Sequence, residues 1–360
     1  MLRPVTLNIL MTNWCNAECG HCCMNAGPQR NDRLAFETIK NVLDSVLEHT
    51  ELAVVVFAGG EPMGSRKTLY RAIRYCEDQG IATRMVSNAY WAKDAVRTVE
   101  VLRELRSAGL REVNISADDY HLPYVPFQNV ANVWKSARGL GFKSVVIANG
   151  NGPESLINPG YLVEMLGDTP VRTWVDYRGQ MVEFDLEPGT YYAISQTPVQ
   201  RLERAGEELA ATTFVPAAKQ ENLRGRCPHV IRDAALSPRG HLLSCCGFEL
   251  DGNPILDLGD AKATDAWQLI EQANHDGVLT AIGYLGPYFL KGVIEQIAPG
   301  TIGDRCHGSV CELCRTIVTN PAAIAALQQA KDVLLPALAE ARKIVDSQIA
   351  SANEGTRNLT

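Results

Sequence analysis

The sequence predicts an α/β fold built on a parallel sheet. Over the first 180 residues, six short Val- and Ile-rich runs alternate with segments whose apolar residues recur at helical spacing. Most of the runs lack a polar face of period two, as expected for strands covered on both sides. Polar or glycine residues follow the carboxyl end of each run, where the loops of parallel α/β folds converge on one mouth. Periodicity alone leaves open whether the sheet is flat or curled.

Taken in order, the strands are expected at Val5–Met11, Ala53–Phe57, Ile81–Val86, Glu112–Ser116, Ser144–Ala148 and Arg172–Asp176. Ile39, Val42, Leu43, Val46 and Leu47 mark the first helix, and Phe127, Val130, Val133, Trp134 and Ala137 the fourth. The strand-end residues are Asn13, Gly59-Gly60-Glu61, Ser87-Asn88, Ser116 to Asp119, Asn149 and Asp176. Residues 181–226, with Pro188, Pro198, Pro216 and a short helical piece near 199–209, break the alternation and are expected to bridge domains or cover the mouth. Ser237-Pro238-Arg239-Gly240 is the turn of a hairpin, and helices are expected at 265–273 and 288–297. After Asn320-Pro321 comes an Ala/Leu-rich helix with Ile324, Leu327, Leu334, Leu338 and Ile344 on one face, kinked or divided at Pro336 and followed by a polar, disordered tail. The expected units are 1–180, 181–226, 227–320 and 321–360.

Composition narrows the function. The 360 residues are 46% apolar and 21% charged, with a formal charge of -7, and no Lys/Arg cluster marks a nucleic-acid groove. No apolar run has membrane-spanning length and the start lacks a signal-peptide core, so a cytoplasmic enzyme without a membrane or nucleic-acid partner is the expectation. Ten of the eleven cysteines fall in three clusters, a pattern of metal sites and not of disulfides.

The first cluster, Cys15, Cys19 and Cys22, has the spacing C-x3-C-x2-C. Three thiolates in a tight loop can hold three corners of a [4Fe–4S] cube and leave the fourth iron open. The alternative is zinc, with His21 or Cys23 completing its ligands. Downstream, Cys227 and Cys245 flank the hairpin turn, and Cys311 and Cys314 form a C-x2-C pair, giving four further thiolates. Asp118 and His121, after the fourth strand, could bind substrate or move a proton, or simply form a polar loop. Cys76 reads as a small core residue.

Together, C-x3-C-x2-C and the downstream Gly59-Gly60-Glu61-Pro62 resemble the radical SAM superfamily, and the later cysteines resemble its SPASM and Twitch extensions. His21 stands where that family usually has an aromatic residue. The resemblance implies a partial (β/α)6 TIM-like barrel with a smaller C-terminal hairpin-plus-helices domain. It implies S-adenosylmethionine chelated by the open iron, with Gly59, Gly60, Glu61 and Pro62 at its amino group. Ser87 and Asn88 would meet its carboxylate or ribose, Ser116 the ribose, and Asn149 the adenine. Cys227, Cys245, Cys311 and Cys314 would hold one auxiliary [4Fe–4S] cluster, as in the Twitch form. Cys246 and Cys306 are left over, the latter a spare residue or a hydrogen-atom donor. The implied reaction begins with reductive cleavage of the cofactor to a 5′-deoxyadenosyl radical and ends as a net oxidation. The substrate would be a ribosomally made peptide or a small molecule such as an aminocyclitol or sugar. A flavodoxin or ferredoxin would supply electrons. With the first cysteine at residue 15, any leader-peptide-binding unit would be a separate protein. The non-enzyme alternative is an iron–sulfur electron carrier or zinc module.

Overall fold

The computed structural model describes residues 1–176, 179–215 and 223–357, with side chains described through residue 344. The strands β1 (Thr6–Leu10), β2 (Val54–Ala58), β3 (Thr83–Ser87), β4 (Glu112–Ser116) and β5 (Ser144–Asn151) form consecutive parallel pairs. Between them run α1 (Phe36–Leu47), α2 (Arg66–Asp78), α3 (Ala95–Ala108) and α4 (Phe127–Ser136). The expected stripe of α1 is the buried one, through Ile39, Val42, Leu43 and Val46. Helix α3 is delimited as its sequence dictates: Asp94 accepts from Arg97 N–H at the start, and Gly109 ends it at φ 113°.

The sixth parallel position is not filled by the predicted run at 172–176. After α5 (Pro159–Leu166), that run forms β6 (Arg172–Val175), which pairs antiparallel with β7 (Gln180–Phe184) at the sheet edge. Strand β8 (Tyr191–Pro198), inside the segment read as a bridge, lies parallel to β5 instead. Burial explains the exchange: Tyr192, Ala193 and Ile194 are fully buried, whereas Arg172, Thr173 and Val175 are exposed. The parallel layer therefore extends to Pro198. Short helix α6 (Arg204–Glu208) follows; Pro216 lies outside the described residues.

Strands β9 (Asp233–Leu236) and β10 (His241–Leu243) make the expected hairpin, and β11 (Asp257–Asp260) adds to it. Strand β9 also pairs parallel with β1, so the hairpin extends the barrel sheet to eleven strands among the described residues. Helices α7 (Ala266–His275), α8 (Gly277–Tyr284), α9 (Pro287–Ile297), α10 (Val310–Val318), α11 (Pro321–Gln329) and α12 (Lys331–Arg357) complete an α/β fold with a partly curled parallel sheet and, among the described residues, twelve α-helices. One apolar core joins Leu7 and Ile9 of β1 to Leu236 of β9, Trp267 of α7 and Leu334 of α12. The C-terminal helix divides at Ala330 rather than at Pro336, which lies inside α12. Leu327, Leu334 and Leu338 are buried as expected, while Ile344 is exposed. Helix α12 runs on to Arg357 through most of the stretch expected to be disordered; residues 358–360 lie outside the described ones. Among the described residues no single helix is long and apolar enough to cross a membrane.

Candidate functional site

The loop after β1 is held down along its length by backbone bonds. Cys15 N–H donates to Gly27 O, Gly27 N–H to Asn13 O, and Leu34 N–H to Met11 O. Asn13 and Asp32 lock its two ends, Nδ2 donating to the carboxylate at 2.8 Å and Asp32 N–H donating back at 3.0 Å. From outside, Tyr124 donates to Glu18 O at 2.8 Å, and Arg204 donates to Cys19 O and Ala26 O at 3.0 and 2.9 Å. Cys15 and Cys19 are buried and Cys22 is partly so.

The strand end of β2 supports this loop at van der Waals range. Gly60 N–H donates to Thr12 O at 2.6 Å, and Glu61 N–H to Trp14 O at 2.8 Å. A Cβ on Gly60 would sit 2.1 Å from Trp14 O, and one on Gly59, at φ 115°, 2.6 Å from Thr12 O. The two glycines are thus required by the approach of the protein's own cysteine loop, in addition to their place on the cavity wall.

That cavity, about 220 Å³, is lined by the three cysteines together with Gly59, Gly60, Ser87, Asn88, Ser116 and His121. Burial pushes the Cys15 thiol up to about 12, with Glu61, Cys19 and Cys22 adding to it. Such thiols ionise when a cation takes the proton's place. Among the described residues Cys15, Cys19 and Cys22 do not gather within 4.8 Å of one another as donors to one ion would. Two thiolates on a single tetrahedral zinc stand about 3.8 Å apart, from Zn–S bonds of about 2.3 Å. Three thiolates on one loop can instead hold three corners of a polynuclear cluster. Asn88 donates to Cys15 Sγ at 3.6 Å and to Asn16 Oδ1 at 2.9 Å, and Ala17 N–H lies 3.5 Å from the same sulfur. Hydrogen bonds to such sulfurs tune a cluster's potential.

Asp118 organises the neighbouring wall. Its buried carboxylate receives Tyr120 N–H, His121 N–H and His121 Nδ1 at 2.9–3.0 Å, with His21 Nε2 at 3.5 Å. Burial acts to raise this carboxyl, but His121 and His21 more than offset it and hold it well below the carboxylate range. Burial likewise works against the His121 imidazolium, and Asp118 and Cys19 reverse it, so its pKa stands well above the usual value. His21 stacks on Tyr120 with centroids 4.6 Å apart, and its buried Nδ1 has no partner among the described residues. Cys19, His21 and His121 bring their ligand atoms within 4.8 Å of one another. A second cavity of about 270 Å³ continues from here past Ser116, Gly150, Thr197 and Gln200.

Several predicted residues stand differently. Glu61 is fully buried and off the cavity wall: it accepts from Met63 N–H, Ser87 Oγ and Asn88 N–H at 3.1, 2.9 and 2.9 Å. Pro62 is buried at the start of the 3-10 turn Pro62–Ser65. Ser87 donates to Glu61 and accepts from Ala89 N–H and Trp91 Nε1, which uses its whole hydroxyl, so it offers a cofactor its place on the wall and no free bond. Asn149 is buried, donates to Ala117 O and Ile157 O, and lines neither cavity. Gly150 is the residue on the wall, 3.4 Å from Asp118 by its would-be Cβ. Ser116 lines both cavities. Cys306 is exposed, its sulfur near Asp304 O, and lines neither cavity. Arg204 and Gly150 escaped sequence reading because each acts through backbone proximity, which no local motif encodes.

Glu61 carries a pH signature. Burial raises its carboxyl from 4.5 to about 7, against the three hydrogen bonds it accepts. The folded chain then holds a proton that the unfolded chain has released, so stability falls as pH rises from about 4.5 to 7. Urea unfolding of metal-free protein is expected to lose about 2–3 kcal/mol across that window through this group, a slope that Glu61→Gln removes. An equal slope in both proteins contradicts the assignment.

The second set of thiols also converges. Cys311 and Cys314 lie in the first turns of α10, three residues apart and so on one face. Cys227 is pinned by its N–H to Ile282 O, and Cys245 follows β10. Burial raises the Cys314 thiol, and Cys245, Cys227 and Cys311 raise it further; Cys246 acts in the same way on Cys245 and Cys311. Cys23 is pushed up to about 12 by burial, with Cys22 and Cys246 adding to it. Cys76 is a buried core residue.

Residues 9–153 match the family model of the radical SAM superfamily, whose members are enzymes that use S-adenosylmethionine and a [4Fe–4S] cluster. YydG of Bacillus subtilis (strain 168), whose name assigns it to peptide biosynthesis, is 26% identical over 133 residues, 37% of this chain and 42% of that protein. The chain thus spans less than half the length of this curated relative. Streptococcus suis SuiB bound to S-adenosylmethionine is similar at 14% identity and TM-score 0.43, over 78% of this chain and 67% of that one. Native anSMEcpe with bound AdoMet and Cp18Cys peptide is similar at 12% identity and TM-score 0.48, over 95% and 99%.

Proposed function

We propose that Cys15, Cys19 and Cys22 hold a [4Fe–4S] cluster whose fourth iron binds S-adenosylmethionine, and that the chain oxidises a peptide. When bound, the cluster and cofactor supply reductive cleavage to methionine and a 5′-deoxyadenosyl radical, the hard chemistry that a protein scaffold only aims and shields. The observation that carries this reading is the single cavity lined by Cys15, Cys19 and Cys22 together with Gly59 and Gly60. The chain's own residues do the rest. Arg204, Tyr124 and Gly60 fix the cysteine loop, Asn88 donates to the Cys15 sulfur, and Gly59, Gly60 and Ser116 leave room for the cofactor. Asp118 holds the His121 ring by Nδ1, where the pair can bind substrate or hold a proton beside the second cavity. Formation of 5′-deoxyadenosine by anaerobically reconstituted, reduced protein tests the reading; its absence from protein with full iron overturns it.

Cys227, Cys245, Cys311 and Cys314 would hold a closed auxiliary cluster, which would supply an acceptor for the electron left by substrate oxidation. Cys245→Ala is expected to halve an iron content of about eight per chain while leaving cofactor cleavage within about twofold. Loss of cleavage along with the iron contradicts separate roles. The peptide reading draws support from the similarity to YydG over 133 residues. A flavodoxin or ferredoxin would supply the electron, and a separate protein could present the peptide.

One observation favours a second reading. Cys19, His21 and His121 are close enough to hold a single ion such as zinc. That site leaves Cys15 out, so metal bound equally well by Cys15→Ala protein would support it.

A further inference from the structure

The sheet ends at β6, where Arg172, Thr173 and Val175 are exposed. Strand β6 is terminal in the strand order and pairs only with β7. Asp176 and Gly179 exchange both backbone hydrogen bonds, so by antiparallel alternation Trp174 and Arg172 also face β7. Thr173 and Val175 therefore turn their N–H and C=O groups outward, away from the sheet.

Edges are usually blunted by charge, proline or a bulge. Here the strand is Arg-Thr-Trp-Val, and its one charge, the Arg172 guanidinium, lies back over the Trp174 ring at 4.7 Å. Val175 is 74% exposed, and Val171, just before the strand and bonded through its N–H to Glu183 O, is 64% exposed. On the other face a groove of about 210 Å³ runs past Trp174, Met181 and Ser195 to Thr197. Thr197 also lines the second cavity of the mouth. Val175 pairs with Gln180 and Gln180 with Gln196, so the carboxyl end of β6 lies at the mouth end of β8.

We infer that the β6 edge is a docking strand for an extended stretch of the peptide substrate, which adds to the sheet and feeds its next residues into the mouth. This rests on the peptide reading above. Outward backbone groups give such a strand its affinity, while alternate side chains meet Val175 and the Trp174 groove.

The test uses full-length reconstituted protein and a fluorescein-labelled decapeptide of alternating Val and Ser, with two forms of it N-methylated at every Val or at every Ser. The unmodified peptide is expected to bind, and one methylated form to lose tenfold or more. Val175→Pro and Thr173→Pro remove one outward N–H each and no bond to β7, so each is expected to weaken the unmodified peptide about tenfold, with 5′-deoxyadenosine formation unchanged. Absence of binding, equal binding of both methylated forms, or unaltered binding by both proline variants overturns the inference. So does a dimer that Val175→Pro splits, since the edge would then serve a second copy. Failure of deoxyadenosine formation in the unmutated protein would instead count against the proposed chemistry.

Discussion

Cys19→Ala protein is expected to bind about four fewer irons per chain and to form 5′-deoxyadenosine at least about a thousandfold more slowly, some 4 kcal/mol of barrier. The reason is geometric. Cys19 is buried, its carbonyl is held by Arg204, and its thiol faces His121 in the cavity wall. With three protein ligands for four irons, losing one leaves two open corners and a cluster without a secure seat. Cys306→Ala, at an exposed sulfur away from both cavities, is the control and is expected to change neither quantity. Iron analysis and product chromatography read both. Unchanged deoxyadenosine from Cys19→Ala removes the assignment of the loop.

Gly60→Ala is expected to destabilise the fold by about 4 kcal/mol and to strip iron from the first site. Its methyl would overlap Trp14 O, a backbone atom, at 2.1 Å. Relief means moving the Thr12–Trp14 backbone, which breaks the bonds from Gly60 N–H and Glu61 N–H that carry the cysteine loop. Overpacking costs about 1–3 kcal/mol and each orphaned buried group about as much again. Gly292→Ala, in α9 with open space around it, is expected to gain up to about 1 kcal/mol from helix propensity. Urea unfolding of the two variants decides it. A Gly60→Ala loss no larger than 1 kcal/mol means that the loop and strand end are not coupled as described.

What was legible in the sequence was local chemistry. The thiols at 15, 19 and 22 and the glycines at 59 and 60 are neighbours in the chain, so spacing revealed them, and buried strands such as Val54–Ala58 are apolar throughout. Register was harder. Strand β5 runs to Asn151, three residues past its expected end, and since side chains alternate, Asn149 turns into the protein while Gly150 borders the mouth. Strand β8 escaped because Tyr191–Pro198 mixes polar residues with a terminal proline, although its centre is fully buried. Glu61 reads as a ligand-binding carboxylate from its motif. Its bonds to Ser87 and Asn88, 26 and 27 residues away, tie β2 to β3 instead. Cys306, read as a spare residue or a hydrogen-atom donor, is exposed, a few residues before the half-buried Cys311.

The most direct measurement is the electron paramagnetic resonance spectrum of reduced Cys245→Ala protein, recorded before and after adding S-adenosylmethionine. That variant isolates the loop between β1 and α1. An open iron there predicts a [4Fe–4S] signal whose g-values shift when the cofactor is added. A signal indifferent to the cofactor, or zinc in place of iron at that loop, contradicts the account.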